Sequence, residues 1–84
     1  PDMDTFICLK TCYEAIQRGG LYPALVNGAN EQAVELFLKK KISFLDIGKF
    51  VHGSLEISLN SCDITVEEIE KADQLGRCFV REQI

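Results

Sequence analysis

Residues 23–40 read PALVNGANEQAVELFLKK. Pro23 suits the first position of a helix, where its missing N–H is not needed. Val26, Ala29, Ala33 and Phe37 then recur at helical spacing, with Leu36 beside them. Lys39, Lys40 and Lys41 close the stretch and complement the negative end of a helix dipole. The spacing predicts a helix over about 23–40, even though Gly28 lies inside it at a cost of about 1 kcal/mol relative to alanine. The same stretch carries a polar cluster, Asn27, Asn30 and Glu31. At i, i+3 and i+4 of one helix these three share a face.

The helical pattern continues on both sides. Residues 4–18, DTFICLKTCYEAIQR, repeat Phe6, Leu9, Tyr13 and Ile16 as an apolar stripe flanked by Cys8 and Cys12. Asp2 or Asp4 can cap the start, and Gly19-Gly20 can end the helix in the left-handed conformation. Residues 44–57, FLDIGKFVHGSLEI, follow a capping-box-like Ser43 and Asp46, with Ile47, Phe50, Val51, Ser54 and Leu55 on the inward face. Residues 66–82, VEEIEKADQLGRCFVRE, follow a full capping-box signature, Thr65 with Glu68. Glu67, Glu68 and Glu70 lie near the positive helix start, and Arg77 and Arg81 near the negative end. Ile69, Ala72, Gly76, Phe79 and Val80 are expected to point inward, Ala72 and Gly76 leaving room for close approach by another helix. Strand-like alternation of Val, Ile and Thr is absent. The connections, about 19–22, 41–43 and 58–65, are short. The expected fold is all-α, a four-helix, mostly antiparallel bundle forming a single domain over 1–84.

Eighty-four residues allow one domain with one small core. Apolar residues are 46% and charged residues 26%, an ordinary globular balance. A net charge of −4 argues against nucleic acid and against anionic membranes, both of which attract basic patches. The longest apolar runs, LYPALV and FICL, are far too short to cross a bilayer. The start at Pro1, without Met, suggests a piece of a longer protein. Cys8 and Cys12 sit four apart in a helical pattern, which suits a disulfide poorly. With Cys62 and Cys78 they read as reduced thiols in a cytoplasmic setting, small buried hydrophobes with one exposed thiol.

No catalytic, cofactor-binding or metal-binding set emerges from the residues. His52 falls on the solvent side of the third segment, and the spacing names no partner for it. Only Cys8 and Cys12 are paired as zinc ligands would be. The run Glu67, Glu68 and Glu70 reads as a solvated helix start. No GxGxxG or GxxxxGK[ST] occurs, so nothing cradles a nucleotide phosphate. Asn27, Asn30 and Glu31, with no nucleophile or histidine among them, read as a structural polar seam. An interaction or support module fits these features better than an enzyme.

The blocks also carry a resemblance. Pro1-Asp2, Phe6 with Cys8-Leu9, Tyr13-Glu14-Ala15, Gly19-Gly20, Asn27 to Glu31, Ala33-Val34 with Phe37-Leu38, and Ile42 with Phe44 and Asp46-Ile47 stand in order. Together they resemble the C-terminal helical domain of the 1-deoxy-D-xylulose 5-phosphate reductoisomerase family. Ala72-Asp73 and Arg77 match its last helix more loosely, while Gly28 and Thr11-Cys12 depart from its usual Ala and Leu-Ala. The resemblance implies a parent oxidoreductase that converts 1-deoxy-D-xylulose 5-phosphate to 2-C-methyl-D-erythritol 4-phosphate in non-mevalonate isoprenoid biosynthesis. It implies NADPH and Mg²⁺ or Mn²⁺ as cofactors of that parent, and a homodimeric parent. The cofactor, metal and substrate residues of the family precede the part present here, so none is carried over. This chain's partner is then the catalytic domain of the same polypeptide, and the chain alone is expected to be inactive and to bind no cofactor. The alternative is a free-standing helical protein-interaction module without catalytic activity.

Overall fold

The computed structural model of this chain describes residues 3–59 and 64–84, with side chains from residue 7 onward. Four α-helices follow one another: α1 (Met3–Arg18), α2 (Tyr22–Leu38), α3 (Phe44–Gly53) and α4 (Val66–Arg81). A 3₁₀ turn, Ser54–Glu56, extends α3. No strand occurs among the described residues, and the architecture is an all-α, four-helix bundle. The expected caps at Asp2 or Asp4, the Phe6 side chain and Cys62 lie outside the described residues.

The central element is α2, which packs against α1, α3 and, most extensively, α4. Two glycines set that last contact. A Cβ added to Gly76 would lie 2.1 Å from the Leu25 carbonyl oxygen and 2.8 Å from the Ala29 nitrogen. One added to Gly28 would lie 2.2 Å from the Asp73 carbonyl oxygen. The two helices therefore meet backbone to backbone, and only residues without a Cβ fit at the crossing. Leu25, Ala29, Ala33 and Ala72 are buried beside it. The main core joins Ala15, Val26, Ala29, Ala33, Leu36, Ile47, Val51, Leu55 and Val80, with Phe37, Phe50 and Phe79 packed half-buried against it. A smaller cluster of Leu21, Leu25 and Ala72 lies beneath Ile57 and Leu59.

The helix ends explain several boundaries. The expected run of α2 to residue 40 stops at Leu38, because Lys40 takes the left-handed conformation at φ 62°. Its N–H donates to the Phe37 carbonyl (2.9 Å), and the Lys41 N–H reaches back to the Leu36 carbonyl (2.8 Å). This is a Schellman ending, with lysine where glycine is the usual choice. At α3 the capping box of Ser43 and Asp46 is complete. Its far end tightens into the 3₁₀ turn, where the Ser54 hydroxyl donates to the Val51 carbonyl (2.6 Å). Two side chains hold the following carbonyls: Arg18 donates to Leu55 (2.8 Å) and Tyr22 to Ile57 (3.1 Å). These long-range donors end the helix before the expected residue 57. At α4 only half of the expected box forms. The Glu68 N–H donates to the Thr65 hydroxyl, while the Glu68 carboxylate faces Lys71 at 3.5 Å.

The faces of α1 and α4 differ from a simple stripe. Leu9, Tyr13 and Ile16 are turned outward and are 66%, 63% and 68% exposed. The core is entered instead by buried Thr11 and Ala15 and half-buried Cys8. These smaller residues let α1 lie close to α2 and α3. On α4, Ala72, Gly76 and Val80 are buried, but Ile69 is 40% exposed and does not join the inward face.

The crossing and the Schellman ending predict opposite effects of small changes. Gly76→Ala is expected to destabilise the chain by roughly 1–3 kcal/mol, since overpacking at backbone outweighs the better helix propensity. That corresponds to a melting temperature lower by roughly 4–8 °C per kcal/mol in thermal denaturation. Lys40→Gly is expected to raise it, by about 1 kcal/mol of relieved left-handed strain.

Candidate functional site

The polar cluster of α2 divides between two neighbours. Glu31 reaches across to α4, where its carboxylate accepts a hydrogen bond from Nη2 of Arg77. The Arg77 Nε donates to Asp73 Oδ2 at 2.8 Å on the same helix. One guanidinium thus ties two carboxylates, and through Glu31 it clamps the turn after the glycine crossing. The Arg77 side chain is 24% exposed and Glu31 55%, so solvent screens part of the attraction. The hydrogen bond to Asp73, and then the one to Glu31, raise the Arg77 pKa above its ordinary value. A raised pKa means stabilisation that is present below the unfolded value and lost only as pH rises through the folded one. Both lie far into alkali, so the clamp stays charged through neutral pH. The reverse sign holds for Glu35, which the Lys39 ammonium at 2.9 Å holds below the usual carboxylate range. Its contribution is present above the unfolded glutamate pKa and fades as pH falls through the folded one.

Asn27 is exposed and Asn30 half-buried. Neither side chain makes a hydrogen bond to another described residue. Both line a shallow cleft of about 190 Å³ between α1 and α2, whose walls include Cys12, Ile16, Pro23 and Val26. Asn27 also borders a second depression toward Ile69 and Asp73 of α4. The structure therefore brings the three residues onto one side of α2, with Glu31 engaged and the two amides facing open space.

His52 is exposed, as its position on α3 suggests, yet it has a partner. Its Nδ1 lies 3.1 Å from the Thr11 hydroxyl, which also lies 2.8 Å from the Ile7 carbonyl. With its single proton given to that carbonyl, the hydroxyl accepts from His52 Nδ1–H. Forty-one residues separate the pair, so no local spacing could have named it. Cys12 and Cys78 are both exposed thiols, one more than the sequence suggests. Among the described residues, no group of three or more His, Cys, Asp or Glu side chains could hold a metal ion. Among the described residues, no helix is long and apolar enough to cross a membrane.

The geometry separates the members of the cluster by their effect on stability. Glu31→Ala and Arg77→Ala are each expected to lower the melting temperature, and a double-mutant cycle should return a coupling of roughly 0.2–1 kcal/mol. Asn27→Ala and Asn30→Ala in this chain are expected to stay within about 0.5 kcal/mol of the parent sequence. Thermal denaturation of all four variants checks both statements.

The family model described as the DXP reductoisomerase C-terminal domain matches residues 1–79. The 1-deoxy-D-xylulose 5-phosphate reductoisomerase of Clostridium botulinum (strain Okra / Type B1) is 49% identical over 80 residues, covering 95% of this chain and 21% of that protein. The enzyme of the same name from Clostridium perfringens (strain SM101 / Type A) is 40% identical over 83 residues, covering 99% of this chain and 22% of its own length. The chain thus spans about a fifth of the length of these curated relatives. No solved structure matches it significantly. Matched nearly end to end by the family model and at up to 49% identity by these relatives, the chain belongs to the DXP reductoisomerase family, in its C-terminal domain.

Proposed function

We propose that this chain is the helical support domain of a cytoplasmic, homodimeric reductoisomerase that converts 1-deoxy-D-xylulose 5-phosphate to 2-C-methyl-D-erythritol 4-phosphate in isoprenoid biosynthesis. The observation that carries the reading is coverage: the family model spans residues 1–79, yet the chain matches only 21% of its relative. The catalytic domain is then the remainder of the same polypeptide. NADPH and Mg²⁺ or Mn²⁺ would be held there. The residues of this chain do not fit either group, because they offer no phosphate-cradling loop and, among those described, no metal-sized cluster of donors. No step of the chemistry is assigned to them. In this reading Asn27, Asn30 and Glu31 act structurally, Glu31 within the bundle through Arg77 and the two amides at its surface.

Two measurements test this. NADPH titrated against the 84-residue chain is expected to give no saturable binding. In the complete reductoisomerase polypeptide, Glu31→Ala is expected to lower the melting temperature while turnover at saturating substrate stays within a few-fold of the parent. Saturable NADPH binding by the chain, or a collapse of turnover at unchanged melting temperature, overturns the assignment.

A further inference from the structure

Resting on that reading, we propose which face of the domain meets the rest of the polypeptide: the outward stripe of α1 together with the α1–α2 cleft. The occupant is the part of the reductoisomerase chain that precedes this domain, presenting apolar side chains with main-chain N–H and C=O groups between them.

Two independent features point to one surface. The first is the stripe. Leu9, Tyr13 and Ile16 sit at i, i+4 and i+7 of α1 and are 66%, 63% and 68% exposed. The core side of the same helix is already supplied by Cys8, Thr11 and Ala15. A helix with a second apolar face, left in water, has a surface suited to another protein segment. The second is the amide pair. Asn27 and Asn30, one turn apart on α2, face the cleft that Ile16 walls, and neither is engaged by a described side chain or backbone group. Each amide offers two donors and an acceptor, the complement of an extended main chain. Elsewhere the exposed apolar residues are set among charges, Ile69 included, which shares a second depression with Asn27 beside Glu70 and Asp73. Val66, Ile69 and Leu75 are separated by Glu67, Glu70 and Lys71, and Leu38, Phe44 and Leu45 border Lys39, Lys40 and Lys41.

The preceding chain is a better occupant than a second copy. In the relatives, the matched part is 21% of the length and is the C-terminal domain, so the bulk of the chain arrives ahead of α1. A stable dimer interface needs about 800 Å² per partner, far more than three side chains and a shallow cleft offer. A tethered segment binds at high effective concentration and needs no such area.

Cys12 reports on this face from within. It lines the cleft, whereas Cys78 lies on the outer side of α4, and both thiols are exposed in this domain. The complete polypeptide is labelled with a thiol reagent, and the modified peptides are followed by mass spectrometry. Cys12 is expected to react roughly tenfold or more slowly than Cys78, and Ile16→Asp, at an exposed position, is expected to bring its rate up toward that of Cys78. Equal rates in a polypeptide that does carry a preceding segment overturn this face and leave the support-domain reading intact. Protection of Cys78 in place of Cys12 moves the contact to α4 and likewise overturns it. Protection of Cys12 that disappears on dilution assigns the face to a second copy and overturns the proposal. A natural polypeptide without any preceding segment overturns the support-domain reading, and this one with it.

Discussion

The backbones of α2 and α4 touch, and two glycines permit it. With Gly28 against the Asp73 carbonyl and Gly76 against the Leu25 carbonyl, the two backbones are in direct contact. Everything near the crossing follows from that contact. Ala29, Ala33 and Ala72 are buried there because larger side chains would hold the helices apart. The Arg77 guanidinium can reach Glu31 because the two helices are adjacent one turn further along. A core of this kind gains less from the hydrophobic effect per residue than one of leucine and phenylalanine, and it relies instead on dense packing.

Because α2 is encircled by three helices, its side chains are divided among three partners. Its small residues serve α4, Val26 and Leu36 serve the main core, and Asn27 and Asn30 are left over on the side toward α1. The neighbouring helix has the same economy. Among its described side chains, α1 turns Cys8, Thr11 and Ala15 toward the bundle and leaves Leu9, Tyr13 and Ile16 outside. Both helices thus leave apolar or amide groups in water around the α1–α2 cleft. The chain itself spans about a fifth of the length of its relatives.

Much of this was legible along the chain. Pro23, the Ser43–Asp46 box, Gly19-Gly20 and the lysines at 39–41 mark helix ends through strictly local hydrogen bonding and sterics. Gly76 beside Ala72 announced a close approach, although not that the answering glycine would be Gly28. The polar cluster could be placed on one face of one helix. Its division, with Glu31 bound to Arg77 and the amides open, could not be read, since Arg77 lies 46 residues away. The pairing of Thr11 with His52 was hidden for the same reason.

What the sequence by itself determined is the set of four helices, most of their ends and the all-α class, because periodicity and capping depend on residues within a few positions of one another. What only the tertiary structure decided is which face of each helix turns inward. On α1 the residues with the greater apolar surface, Leu9, Tyr13 and Ile16, point to solvent while Thr11 and Ala15 are buried. Periodicity reports that a helix has an apolar face. Which face is covered depends on the space that α2 and α3 leave, and Cys8, Thr11 and Ala15 fill it.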